Sequence, residues 1–152
     1  MNIVLQRVAN ATVEVGSKVV GAISRGFFLL LGVADGDTVA DADVLADKIS
    51  GLRIFTDDND KMNLSLSDIN GEVLVISNFT LCADCRKGRR PNFIGAAKPD
   101  EADRLYEYFC AKLLNNGIAK VEKGIFGADM KVSLLNDGPV TLILNSNELT
   151  KK

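Results

Sequence analysis

The feature that most constrains the fold is an apolar run from Phe27 to Val33, bracketed by glycines. A run of this length without polar side chains is typical of a strand buried on both faces, because a half-exposed strand would alternate with polar residues. The run therefore predicts a buried strand at the centre of a sheet.

Other short segments predict further strands. Their patterns are alternating or short and apolar, and they cover residues 2 to 8, 11 to 15, 18 to 23, 72 to 77, 129 to 135 and 140 to 145. Gly16-Ser17 suits a two-residue type II′ turn between the second and third of these strands. Asn136 to Pro139 is predicted to form a turn between the last two.

Two amphipathic helices are predicted as well. Thr38 followed by Asp41 matches a capping box, and apolar residues then recur at helical spacing, which predicts a helix over residues 38 to 51. A second helix is predicted to begin at Pro99, which suits a first turn, and to end before Gly117.

These segments predict the class and organisation of the fold. Residues 84 to 98 are predicted as a loop, and residues 146 to 152 are polar enough to fray. The whole pattern indicates one α+β domain spanning residues 1 to 152, without internal repeats. We expect a β-rich, sheet-like or barrel-like core of mainly antiparallel strands with two main helices.

The bulk composition fits one domain in a reducing compartment. The 152 residues are 47% hydrophobic and 25% charged, which suffices for one core but would leave a second domain short of apolar residues. The first residues lack the pattern of a signal peptide, and no apolar run approaches the length of a membrane span. Three cysteines cannot all pair. We therefore expect a cytoplasmic protein, neither exported nor membrane-spanning, without disulfides.

Charge and histidine content exclude several kinds of chemistry. The net charge is -2, so no global positive field exists for nonspecific binding of nucleic acid, and any RNA contact must be local. The chain has no histidine. Its absence excludes Ser-His-Asp and Cys-His nucleophilic machinery, His-ligated zinc and a histidine general base.

Two clusters carry alternative interpretations. Cys82 and Cys85 form a C-x-x-C, which could be a redox pair or half of a metal site. With only Cys110 to add and no helix predicted at the motif, incidental thiols are favoured and no metal site is predicted. A second cluster places four cations within five residues, Arg86, Lys87, Arg89 and Arg90. It is either solvated surface or a phosphate contact near a site, and in the second case affinity should fall with salt.

Two motifs at a fixed separation resemble those of one family. SNFTL at residues 77 to 81 and NDGPVT at 136 to 141 are similar to the motif pair of the D-aminoacyl-tRNA deacylases. VLQRV at 4 to 8, RKGRRPNF at 86 to 93 and FGADMKVSLLNDGPVT at 126 to 141 follow in the family's order. The resemblance covers essentially the whole chain.

The resemblance implies a site at the interface of a homodimer, without a cofactor. One chain's Gly138-Pro139, joined in cis, would reach into the other's pocket as a chiral filter. The resemblance also implies a catalytic pocket formed by Ser77, Phe79 and Thr80, with Asn78 and Leu81 in the same substrate-binding segment. Arg7 would hold the Gly-Pro element, and Phe126 and Met130 would contact the terminal adenosine. The residues implied to contact tRNA are Arg86, Lys87, Arg89 and Arg90. The chain departs from the family at Asn78, where glutamine is usual, so details of binding or rate could differ.

The available groups suggest ester hydrolysis without a covalent intermediate. No histidine activates the hydroxyls of Ser77 or Thr80, and a free hydroxyl is a weak nucleophile. We expect the neighbouring ribose 2′-hydroxyl to help activate water, while main-chain amides around residues 78 to 81 hold the developing negative charge. If the Gly138 and Pro139 carbonyls crowd the position of an L side chain, D-aminoacyl-tRNA reacts and L-aminoacyl-tRNA does not. Glycine mischarged on an alanine tRNA should also react.

Two other functions stay open at this point. One is a non-catalytic module that binds the tRNA 3′ end through residues 86 to 90. The other is a thiol oxidoreductase that uses Cys82 and Cys85. For both the deacylase and the binding module the expected partner is tRNA, and neither DNA nor a membrane is expected.

Overall fold

The computed structural model describes residues 1–151 and shows a curved, nearly closed sheet with helices on one face. Its elements in chain order are β1 (Asn2–Val15), β2 (Lys18–Ile23), β3 (Gly26–Gly32), α1 (Val39–Gly51), β4 (Phe55–Thr56), β5 (Met62–Leu64), β6 (Glu72–Ser77), a 3-10 helix (Phe79–Cys82), α2 (Pro99–Asn115), β7 (Lys120–Lys123), β8 (Lys131–Asn145) and α3 (Ser146–Thr150). The predicted α+β, strand-rich class is confirmed.

The predicted central strand is β3. It pairs antiparallel with β1 and parallel with β6, and β7 extends the sheet beyond β6. Phe27, Leu29 and Leu31 join the helix-covered core, and Phe28 packs into a second cluster on the opposite face. Both faces are therefore covered, which is why the run has no polar alternation.

Two pairs of predicted strands are single long strands, so these boundaries were wrong. Residues 2 to 8 and 11 to 15 both lie in β1. Residues 131 to 135 and 140 to 145 both lie in β8, which begins two residues later than predicted and runs through the predicted turn. The two strands pair antiparallel along almost their whole length, with register shifts around Val8 that absorb the irregular residues. Pairing with a partner distant in sequence overrode the local turn signal.

The turn after β1 also differs from the prediction. Gly16 has φ 56° and Ser17 has φ 66°. Two positive values define a type I′ turn, whereas type II′ has only the first residue positive. Both types join adjacent antiparallel strands, so the predicted hairpin itself is confirmed.

Helix α1 begins with the predicted capping box, in which the amide of Thr38 donates to the Asp41 carboxylate at 2.8 Å. The predicted frayed tail is wrong over residues 146 to 150, which form α3. The Asn145 side chain accepts hydrogen bonds from the amides of Asn147 and Glu148, and Leu149 packs on the core. Capping and one apolar contact thus order a segment whose composition is polar; residue 152 lies outside the described residues.

The second apolar cluster, on the face away from the helices, leads to the site. It comprises Val8, Ala11, Val13, Ile23, Phe28, Leu74 and Ile76. Leu30, Met130 and Val132 pack at its margin and are only partly buried. An apolar cleft opens there. Among the described residues, no helix combines the length and the apolar character needed to cross a membrane.

Candidate active site

A cleft of about 800 Å³ opens where β3 and β6 end. Three segments wall it: residues 77 to 79, residues 93 to 102 at the start of α2, and residues 126 to 132 before and within β8. Its lining residues are Leu30, Val33, Ile76, Ser77, Asn78, Phe79, Phe93, Ala96, Ala97, Lys98, Pro99, Ala102, Phe126, Gly127, Ala128, Met130 and Val132. Within the described chain, Lys98 is the one charged residue in this lining.

The end of β6 delivers the first wall. Ser77 pairs with Leu31 as the last step of the parallel ladder, and the Asn78 amide donates to the Leu31 carbonyl at 2.8 Å. The chain then turns into the 3-10 helix, where the Leu81 amide donates to the Asn78 carbonyl at 3.2 Å. The amides of Phe79 and Thr80 have no acceptor among the described hydrogen bonds, because the first amides of a helix lack an intrahelical partner.

The Thr80 hydroxyl lies at the exposed rim and donates to the side-chain oxygen of Asn78. An amide oxygen cannot take a proton at neutral pH, so this contact does not activate the hydroxyl as a nucleophile. Leu81 does not line the cleft. Its Cβ would lie 2.8 Å from a Cβ placed on Gly32, so the side chain packs over the β3 backbone.

Aromatic and thioether side chains form much of the cleft surface. Phe79 is 56% exposed, and its ring makes an edge contact with the Phe93 ring at 5.0 Å between centroids. Phe126 lies 6.3 Å from the buried Tyr106 ring, and Met130 packs over Gly124. Such surfaces suit the flat faces of a nucleoside base.

The Gly138-Pro139 peptide is cis, as the resemblance implied, and it is exposed. Gly138 has φ +135°, and a side chain there would also meet Val140 and Arg7. The nearly buried Arg7 guanidinium donates to the carbonyls of Asp137 at 3.0 Å and Ile54 at 2.7 Å. This Gly-Pro element does not line the cleft of its own chain.

The four cations lie on an exposed loop, residues 85 to 91, which we call the basic loop. Hydrogen bonds of 2.7 and 2.9 Å between the backbones of Asp84 and Asn92 close its base. Arg86 makes a two-pronged ion pair with Asp84, which lowers the pKa of that carboxyl. Lys87, Arg89 and Arg90 have no acidic partner within 4.0 Å in the described part of the chain.

The surroundings of Cys82 do not favour a redox pair with Cys85. All three are free. Burial raises the pKa of the Cys82 thiol, whereas a reactive thiol needs a lowered pKa. No group of three or more potential metal-ligating residues occurs among those described.

The structure brings together only part of the predicted set. Ser77, Asn78, Phe79, Phe126 and Met130 share the cleft, and Thr80 borders it. Arg7, Gly138 and Pro139 form a separate group, and the basic loop projects beside the cleft. Sequence reasoning did not assign the cleft residues Phe93, Lys98 and Ala102 to the site, although Phe93 ends the family-like stretch RKGRRPNF.

Two solved structures share the fold of this chain. One, described as a c-Myc DNA Unwinding Element Binding Protein, has a TM-score of 0.90 and 37% identity, and the match covers 95% of this chain and 98% of the other. The second, described as a probable eukaryotic D-amino acid tRNA deacylase, has a TM-score of 0.80, 20% identity and the same coverage. At that identity the second match establishes the shared fold alone.

The chain belongs to the family described as D-Tyr-tRNA(Tyr) deacylase, whose profile matches residues 4–145. Among its relatives, the D-aminoacyl-tRNA deacylase of Geotalea daltonii is 58% identical over 96% of this chain and 97% of its own length. That of Thermus aquaticus is 58% identical over 97% of both chains. The resemblance inferred from the motifs is thereby confirmed, and so is the expectation of a hydrolase.

Proposed function

We propose that this protein hydrolyses the ester between a D-amino acid and the 3′ end of tRNA, releasing the free amino acid. The observation that carries the proposal is the meeting of residues 77 to 79 with residues 126 to 130 in one open apolar cleft. These are segments of the family motifs, far apart in sequence, and they combine polar groups for the ester with flat apolar surface for the terminal adenosine. The family and the relatives support the same reaction.

The chemistry uses main-chain amides and water. The free amides of Phe79 and Thr80 stabilise the negative charge that develops on the ester carbonyl oxygen as water attacks. The ribose 2′-hydroxyl next to the ester helps activate that water. Ser77 and Thr80 position the substrate and form no acyl intermediate, because no base contacts the Thr80 hydroxyl in the described structure. No cofactor takes part.

The direct test is to incubate the purified protein with D-Tyr-tRNA and L-Tyr-tRNA and to follow release of tyrosine. Selective loss of the D ester is expected. If both esters persist while the tRNA binds, the protein is the alternative, a non-catalytic tRNA 3′-end binding module, which the unpaired cations of the basic loop favour. A D-Tyr-tRNA with a 2′-deoxy terminal adenosine should react far more slowly, and equal rates would overturn the role of the 2′-hydroxyl.

A second copy of the chain supplies the chiral filter in this proposal. Gly138 and Pro139 lie outside their own cleft on β8, which pairs only with β1 and leaves its other edge free among the described strands. On the same strand Leu135 is 58% exposed and Ile143 is 80% exposed. An apolar edge strand of this length is a pairing surface. A homodimer that buries it would bring one chain's Gly-Pro carbonyls to the other's cleft.

These carbonyls exclude substrates by their shape. They occupy the position of an L side chain, while a D side chain points away into solvent. Glycine has no side chain to reject, so glycine mischarged on an alanine tRNA is a second substrate. Arg7 fixes the element through the Asp137 carbonyl. Because aminoacyl-tRNA is made and used in the cytoplasm, we place the protein there.

A further inference from the structure

The cleft has contact groups that the proposed contacts to an aminoacyl adenosine do not use. Its volume of about 800 Å³ lies in the upper part of the range of about 300–1,000 Å³ that holds drug-sized ligands. In the proposed function Phe126 and Met130 contact the terminal adenosine. That assignment leaves the Phe93 ring and the Lys98 ammonium of another wall without a role.

Phe93 stands on a backbone fixed from both sides. The Asp84–Asn92 bridge precedes it directly, and on the other side the Asp35 amide donates to the Gly95 carbonyl at 2.9 Å. The ring also rests against Phe79. Its position is therefore set before any ligand arrives, as a stacking platform requires.

Lys98 adds a cation to the same wall. It is exposed, it lies directly before Pro99, the first residue of α2, and it has no ion-pair partner within the described chain. The basic loop ends at Pro91, two residues before Phe93. The cleft lining thus holds a ring that suits a base and a cation that suits a phosphate, and the basic loop adds further cations directly before Phe93 in the sequence.

We propose that Phe93 and Lys98 bind the nucleotide that precedes the terminal adenosine of the tRNA, the base on Phe93 and its linking phosphate at Lys98. The inference rests on the proposed function and assigns part of its substrate. Binding at this second position lowers KM by anchoring the strand. We therefore expect a higher kcat/KM for a substrate with two nucleotides than for one with a single nucleoside.

The experiment compares D-tyrosyl esters of adenosine and of the dinucleotide cytidylyl-adenosine, with kcat/KM measured for each. For the unaltered protein we expect kcat/KM to be about tenfold higher for the dinucleotide ester, which is the gain expected from one stacked base and one phosphate contact. In Phe93→Leu and in Lys98→Met this ratio should fall by at least about threefold. Phe93→Tyr keeps a ring and should keep the ratio, and Lys48→Met, which removes an exposed cation on α1, is the matched control for charge.

Two results would overturn the inference: equal kcat/KM for the two esters with the unaltered protein, or a ratio that persists in both Phe93→Leu and Lys98→Met. If Phe93→Leu does not fold, Lys98→Met decides alone. Failure of the proposed function is distinguishable, because the unaltered protein would then leave D-Tyr-tRNA itself intact.

Discussion

At the scale of single residues, Arg7 shows how a buried charge can organise a distant segment. Its side chain starts on β1, yet it bonds to carbonyls of Ile54 and Asp137, which lie far along the chain. The Asp137 carboxylate is 3.8 Å away and exposed, so the two carbonyls are the closer contacts. A planar, five-donor group is suited to joining acceptors that point from different directions.

Arg7→Lys keeps the charge and loses this fixed fork. We expect the free energy of unfolding to fall by about 2 kcal/mol, since one lysine cannot satisfy both carbonyls. We also expect the ratio of D to L hydrolysis to fall by about tenfold, because residues 137 to 139 lose their anchor. Urea unfolding and kinetics on D-Tyr-tRNA and L-Tyr-tRNA measure the two effects. Arg53→Lys is the control, since Arg53 is exposed and its side chain bonds to Asn63 alone among the described hydrogen bonds. Lost stability with an unchanged ratio would make Arg7 purely structural.

The thiols yield a prediction about pH. Burial raises the pKa of the Cys110 thiol to about 12, and it also raises the pKa of Cys82. Since the thiolate forms only as pH approaches the pKa, the thiolate fraction of Cys110 at pH 8 is about one part in ten thousand. Alkylation at pH 8 should therefore label the exposed Cys85 first and the other two slowly, at rates that rise with pH. Replacing both Cys82 and Cys85 by serine should leave deacylation within about twofold of the original rate; loss of activity would revive the oxidoreductase hypothesis.

At the scale of elements, the basic loop concentrates charge that the rest of the chain lacks. The net charge of the protein is -2, yet the loop carries four cations, and only Arg86 is paired with an acid in the described structure. Its base is closed by the Asp84–Asn92 bridge next to the cleft. The loop therefore concentrates positive charge beside the cleft although the net charge of the whole molecule is negative.

Replacing Lys87, Arg89 and Arg90 together by glutamine should weaken tRNA binding in a salt-dependent way. The slope of log K against log salt concentration should become shallower by about 2 to 3, the value for three lost phosphate contacts. Filter binding or fluorescence titration at several salt concentrations measures it. Glutamine at Lys18, Lys48 and Lys61, three exposed lysines elsewhere, changes net charge equally and should leave the slope near its original value. Equal slopes in both triple variants would show that only net charge matters.

At the scale of the whole molecule, the cleft and the Gly-Pro element, to which we assign one function, occupy separate places on one chain. Residues 138 and 139 lie on the outward side of β8, and the cleft opens elsewhere at the ends of β3 and β6. A single copy would thus have a cleft without the filter. In the proposed function, assembly of two copies brings them together.

Charging the exposed face of β8 should separate the copies and remove selectivity together. With Leu135→Asp and Ile143→Asp combined, we expect light scattering to report the mass of one chain where the unaltered protein gives twice that mass. The ratio of D to L hydrolysis should fall by at least about tenfold, because no partner closes the cleft against L side chains. Leu114→Asp, on a half-exposed leucine of α2, should change neither property. A monomer that still rejects L-Tyr-tRNA would contradict the shared site.

Local patterns predicted a good deal of the fold. The β3 run, the capping box at Thr38 and the extent of α2 are set by residues close in sequence, so the sequence predicted them correctly. The continuity of β8 as one strand and the helical structure of α3 depend on contacts with residues far along the chain. The sequence therefore did not predict them. The short strands β4, β5 and β7 carry too few residues to show a period, and they were missed for that reason.

The site divides in the same way. The sequence by itself determined which chemistry was excluded, through the absence of histidine, and which family the chain resembles, through SNFTL and NDGPVT. Only the tertiary structure decided that Phe93, Lys98 and Ala102 join Ser77 and Met130 around one cleft, and that residues 138 and 139 lie outside it. The physical reason is that a sequence motif reflects only the local backbone and its side chains. A cleft forms where separate segments pack together, and their separation in the sequence does not determine their distance in space.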